Sequence, residues 1–104
     1  MTPDGFRKLA LRLPDTVESE HMNHPDFRVN GRIFATIAPD PAFGVVMLTP
    51  RQQRDFVRSD PDAFVRVNGG WGRGGATKVV LKAVKSAKLS AALKLAWLNK
   101  SQSD

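Results

Sequence analysis

The sequence predicts an α+β domain built on one antiparallel sheet, with its helices gathered on one face. Two segments open with a Thr-Pro helix start, Thr2-Pro3 and Thr49-Pro50, and an amphipathic segment lies near the end of the chain. Between them lie short runs of alternating or continuous apolar residues, the pattern of strands. Asn30-Gly31 joins two of those runs, and Asn-Gly between alternating segments is a strong hairpin signal. Strands linked by hairpins, with helices before and after, fit an antiparallel sheet covered on one side.

In the first helix Thr2 caps, Pro3 takes the first position and Asp4 faces the positive end of the helix dipole. Phe6, Leu9, Ala10 and Leu13 give it one apolar face, and Pro14 closes it. A short edge strand is expected around Ser19–Met22. Phe27 and Val29 share a face of the next strand. Ile33, Ala35 and Ile37 do so after the Asn-Gly turn, within Arg32–Ala38. Phe43–Leu48 is apolar throughout and is expected to be central, covered on both faces. The second helix begins at Thr49, with Gln52 placed for a capping box and Phe56 and Val57 inward; Asp60-Pro61 ends it. Ala63–Val67 is a weak strand. Ala76–Val84 alternates, with Thr77, Val79 and Leu81 on one face and Lys78, Val80 and Lys82 on the other. The last helix starts near Lys85 or Ser86. Its stripe is Leu89, Ala92, Leu93, Ala96 and Trp97, and Ser101–Asp104 reads as a frayed tail. The expected core is Leu9, Leu13, Ile33, Val45, Phe56, Val79, Leu81, Leu93 and Trp97.

At 104 residues the chain is expected to be a single domain, residues 1–104, with a modest core. Without cysteine, disulfide and thiolate chemistry are excluded. No apolar run is long enough to cross a membrane, and the N-terminal residues lack a signal-peptide pattern, so a cytoplasmic monomer is expected. The formal charge of +6 is uneven. Residues 1–50 carry five basic and six acidic side chains, and residues 51–104 carry eleven and four. From Ala63 to Ser103 there is no acid. That asymmetry suits an anionic partner, nucleic acid being the commonest, and equally a solubilising surface.

The stretch Asn68-Gly69-Gly70-Trp71-Gly72-Arg73-Gly74-Gly75 is the most unusual in composition. Its Gly70-x-Gly72-x-x-Gly75 spacing matches the dinucleotide fingerprint in letters only, because a strand pattern follows where a helix start is required. Trp71 alone is expected to be a core plug, since large aromatics are mostly buried. With Arg66, Arg73, Lys78 and Lys82 it also forms an aromatic–basic set that could meet phosphates. His21 and His24 flank Met22-Asn23, but no third ligand follows from the sequence. They read as surface histidines of a turn, and no metal or other cofactor is expected. Asp15, Glu18, Glu20 and Asp26 read as a solvated edge. No strand-to-helix elbow surrounds a serine, so an enzyme is not expected.

Several of these segments resemble the MmcQ/YjbR-like family. His24-Pro25-Asp26-Phe27-Arg28-Val29-Asn30-Gly31-Arg32-Ile33-Phe34-Ala35 is similar to its "P-x-F-[KR]-V-x-G-K-I-F-A" segment. Leu48-Thr49-Pro50 with Gln52-Gln53 resembles its helix entry, and Ala96-Trp97 its terminal "A-W" pair. Gly70-Trp71-Gly72-Arg73, then Gly75, Thr77, Val79 and Leu81, resembles its "G-x-W-G-R-x-G-x-T-x-V-x-L" signature. Gly74 stands where many relatives have a second Arg, and Ala76 where they often have an aromatic. The resemblance implies a frataxin-like two-layer sandwich, likened also to the double-wing DNA-binding motif of a phage transcription factor. Its implied function is non-enzymatic DNA binding by phosphate contacts, here expected from Arg66, Trp71, Arg73, Lys78 and Lys82. The alternative is a protein- or small-ligand-interaction module with a groove lined by Trp71 and Phe34.

Overall fold

A computed structural model describes residues 1–102. In chain order the elements are α1 (Pro3–Leu11), β1 (Val17–His21), β2 (His24–Val29), β3 (Arg32–Ile37), β4 (Phe43–Met47), α2 (Pro50–Ser59), β5 (Phe64–Arg66), α3 (Gly69–Arg73), β6 (Ala76–Val80) and α4 (Ser86–Ser101). The strands form one sheet in the order β1-β2-β3-β4-β6-β5, and every neighbouring pair is antiparallel. The α+β class and the single antiparallel sheet are as the sequence predicts.

The hairpins follow from local chemistry. Asn30 and Gly31 take φ of +52° and +73°, the pair of positive values that a tight two-residue hairpin turn requires. Met22 and Asn23 do the same at +50° and +67°, so His21 and His24 become cross-strand partners. Thr2 caps α1 by accepting from the Gly5 N–H at 3.0 Å. Thr49 and Gln52 close a complete capping box at the start of α2, and Asp60 ends that helix.

Register partners share a sheet face, which settles where each helix lies. Gly44 packs against the Phe6 ring of α1, and it pairs with Ile37 and Val79. Phe64, paired with Val79, meets the Phe56 ring of α2 at 4.9 Å between centroids. α4 contacts β2, β3 and β4, and packs on α1. α1, α4 and α2 therefore form one layer over one face. Phe6, Phe27, Phe34, Phe64, Val79, Leu81, Leu89 and Leu93 are buried between the layers. Each such side chain contributes roughly 1.5–3 kcal/mol when fully buried. The opposite face carries Asp26, Thr36, Val45 and Lys78.

The structure departs from the sequence expectation at definite places. A bulge between Phe27 and Arg28 shifts the β2–β3 register, so Phe34 takes the core position expected for Ile33, which is half-buried. Leu9, Leu13, Phe56 and Trp97 form the rim of the core, not its centre. Leu13 lies outside α1, which stops two residues earlier; Trp97 turns its indole N–H outward to the Pro14 carbonyl at 2.9 Å. Val45, Val79, Leu81 and Leu93 are buried as expected. β6 ends at Val80, short of the expected Val84, and the chain turns at Leu81–Ala83. Ser101 belongs to α4 and its carbonyl accepts from Asn30 at 2.6 Å; the rest of the expected tail, beyond Gln102, lies outside the described residues. Among the described residues no helix is long and apolar enough to cross a membrane.

Candidate functional site

The glycine-rich stretch forms the short helix α3, where the sequence offered no element. Gly72 and Gly75 explain much of its composition. A Cβ on Gly72 would stand 1.5 Å from the Val67 carbonyl oxygen. One on Gly75, at φ +116°, would stand 1.8 Å from the Leu48 carbonyl oxygen. Backbones approach so closely there that a side chain is excluded. Trp71, expected in the core, is instead 49% exposed. A five-residue helix with glycines on either side of the ring builds no wall to cover it.

α3 and β5 face α2 across a cleft of about 460 Å³. Pro50, Gln53, Arg54, Val57 and Arg58 line it from α2, Arg66 from β5 and Arg73 from α3. The α2 residues recur at helical spacing, so they share one side of that helix. Gln53 is buried and ties the elements together: its side-chain amide donates to the Gly72 carbonyl at 2.9 Å and to the Ala76 carbonyl at 2.8 Å. Among the described residues none of the four arginines is ion-paired with a carboxylate. Four arginine side chains around one cleft give it like charge, and opposite charge on an anion is attracted to it. Their planar forks match phosphate and carboxylate oxygens in pairs.

The five residues singled out by sequence do not share a surface. Arg66 and Arg73 line the cleft. Trp71 faces a smaller hollow of about 170 Å³ with Met47, Leu48, Gly70, Gly74, Ala76 and Lys100. Lys78 pairs with Val65 and Val45 in register while Arg66 pairs with Thr77, so Lys78 and Arg66 lie on opposite faces of the sheet. The Lys78 ammonium rests 4.6 Å from the Phe43 ring centroid. Lys82 is exposed in the turn after β6, so the two lysines are not one strand face. Phe34 is fully buried and is not among the residues lining the hollow beside Trp71, which corrects the pairing of Trp71 with Phe34. Arg54 and Arg58 were not singled out, because Asp55, Asp60 and Asp62 balance their charge locally in the sequence. The spacing of Pro50, Arg54, Val57 and Arg58 was the available signal.

A second polar cluster lies on the uncovered sheet face. Asp26 is fully buried there and was expected on a solvated edge. It accepts from Arg28 Nε at 2.8 Å and Nη2 at 3.1 Å, and from His21 Nδ1 at 2.6 Å. The hydrogen-bonded Arg28 guanidinium holds the Asp26 carboxyl below the usual carboxylate range. Burial opposes that shift, and His21 adds to it.

The YjbR family model matches residues 11–99, a span that covers β1 through most of α4. The chain belongs to the YjbR family. A crystal structure of the Deinococcus radiodurans protein DR2400, with a domain of the DUF419 family, superposes with a TM-score of 0.77. That likeness covers 94% of this chain and 77% of the other at 20% identity, and it shows a shared fold. No curated protein matches this chain. The match places both the arginine cleft and α3 inside the family-defining span of this YjbR chain.

Proposed function

We propose that this YjbR domain is a non-enzymatic nucleic-acid-binding module that holds duplex DNA by its phosphates at the arginine cleft. The carrying observation is that Arg54, Arg58, Arg66 and Arg73, without a carboxylate partner among the described residues, line one open cleft. The acid-free run of 41 residues from Ala63 to Ser103 supports the same polarity of partner. Arginine, glutamine, proline and valine line the cleft, so it offers charge and shape and no nucleophile or general base. Contacts to phosphate position a protein without reading sequence, so binding is expected to be sequence-tolerant.

Titration of a fluorescent duplex at several salt concentrations tests this reading. Each neutralised phosphate contributes a slope of about −0.9 in log affinity against log salt. With three to four arginines engaged, a slope of about −3 to −4 is expected. Absence of binding at low salt, or a slope near zero, rejects the reading.

The exposed Trp71 favours a second reading, an interaction module seated at the hollow beside it. That hollow is smaller than the roughly 300–1,000 Å³ usual for small-ligand pockets, so a side chain of a protein partner suits it better.

A further inference from the structure

We propose that His21 and His24 form a binding site for a late first-row divalent ion, copper(II) foremost, at the tip of the β1–β2 hairpin. The site is separate from the arginine cleft and does not rest on nucleic-acid binding.

The first argument is protonation. The His21 Nδ1 lies 2.6 Å from Asp26 Oδ2, and the His24 Nδ1 lies 2.7 Å from the Ile37 carbonyl oxygen. An ionised carboxylate and a carbonyl only accept, so each Nδ1 carries the hydrogen. In neutral imidazole the other nitrogen is then a bare lone pair. Among the described residues neither Nε2 has a hydrogen-bond partner. Metal-ligating histidines characteristically donate their second ring N–H to a carboxylate or a backbone carbonyl, which fixes ring orientation and raises ligand basicity. Both histidines here already have that outer partner.

The second argument is geometry. The Met22-Asn23 turn makes His21 and His24 direct cross-strand partners. Their ring centroids are 4.2 Å apart and their planes are inclined by 63°. Inclined planes meet in a line, and a metal on that line lies in the plane of both rings, where the lone pairs are. With metal–nitrogen bonds of about 2.0–2.1 Å, a right angle at the metal sets the centroids roughly 4.5 Å apart. The observed spacing of 4.2 Å is close to that value, and one ion bound by both rings requires their Nε2 atoms to turn toward it.

The ion class follows from the donors. Imidazole nitrogen suits copper, nickel and zinc, and copper(II) binds most tightly of the divalent series. Among the described residues no group of three His, Cys, Asp or Glu is arranged to hold an ion, so the two imidazoles are the protein ligands and the remaining positions are left to solvent. The chain has no cysteine and only these two histidines, so imidazole binding has a single possible location.

The test is titration of the full chain with copper(II) in a non-coordinating buffer, read by calorimetry and electron paramagnetic resonance. One equivalent is expected to bind with hyperfine structure from two imidazole nitrogens. His21→Ala and His24→Ala should each weaken binding at least tenfold and remove the two-nitrogen signal. Asp26→Asn, which leaves both imidazoles in place and changes the outer partner of His21 together with its Arg28 pairing, should weaken it less. Because His21→Ala could disturb the hairpin, imidazole nitrogen NMR of the unaltered chain with zinc(II) gives a second reading. Both Nε2 resonances should shift while Nδ1 stays protonated. Unchanged copper affinity in folded His21→Ala or His24→Ala, or no saturable binding by the unaltered chain, overturns the proposal.

Discussion

Gln53 holds Gly72: the side-chain amide on α2 donates to the backbone carbonyl of α3 at 2.9 Å, and its second bond, to Ala76, secures the start of β6. Both carbonyls also accept from backbone N–H groups, of Gly75 and Val67 respectively. Gln53→Leu keeps the volume and removes both side-chain bonds. A stability loss of roughly 1–3 kcal/mol is expected, read from urea unfolding. If the cleft holds DNA, affinity should fall as well, because Gln53 no longer ties α2, which carries Arg54, to the segment that carries Arg73.

Two glycines in the same stretch should behave in opposite ways. Gly72→Ala drives a methyl into the Val67 carbonyl and is expected to cost several kcal/mol or to prevent folding. A Cβ on Gly70 would meet only the end of the flexible Arg73 side chain, at 3.4 Å. Gly70→Ala should therefore be neutral, or stabilising by up to about 1 kcal/mol, as usual for glycine inside a helix. Thermal melting of the two variants checks the contrast.

Asp26 should make stability depend on acidity. Its folded pKa lies below the ordinary 3.8. The stability from its pairing with Arg28 and His21 is thus fully present above that ordinary value. It is lost as pH falls through the lower folded value. Asp26→Asn should be less stable at neutral pH, by on the order of 2–3 kcal/mol for lost charged hydrogen bonds. It should also lose less stability than the unaltered chain on acidification below about pH 4. Urea midpoints measured across that range decide the matter.

Much of the fold was legible because local chemistry and tertiary packing agree. Thr2-Pro3, Thr49-Pro50 and Asn30-Gly31 each act through their own backbone neighbours. The stripe of α4 is buried at Leu89, Ala92, Leu93 and Ala96 as its spacing predicts. Leu93→Ala should accordingly cost roughly 2–5 kcal/mol. The bulge between Phe27 and Arg28 was not legible, because alternation alone puts Ile33 where Phe34 sits. Trp71 misled because residue type favours burial, whereas exposure depends on whether another element covers the ring. The site was half legible. Arg66 and Arg73 line one cleft; the helical spacing of Arg54 and Arg58 puts them on one side of α2, but that this side meets α3 and β5 is a tertiary contact that no local pattern encodes. Alternation alone puts Lys78 and Lys82 on one face of a strand, but β6 ends at Val80 and Lys82 lies in the turn that follows.

The sharpest comparison sets two pairs of substitutions side by side. Arg66→Gln with Arg73→Gln removes half of the guanidinium groups of the cleft. Lys78→Gln with Lys82→Gln removes the same charge elsewhere on the molecule. Both pairs are largely surface changes, so both proteins should fold, as circular dichroism would show. Duplex-DNA affinity measured between low and moderate salt should then separate them. If the cleft is the interface, the arginine pair weakens binding and flattens the salt slope by about two units, while the lysine pair leaves the slope unchanged. A folded arginine variant with an unaltered slope, or a lysine variant that loses the two units instead, contradicts binding at the cleft.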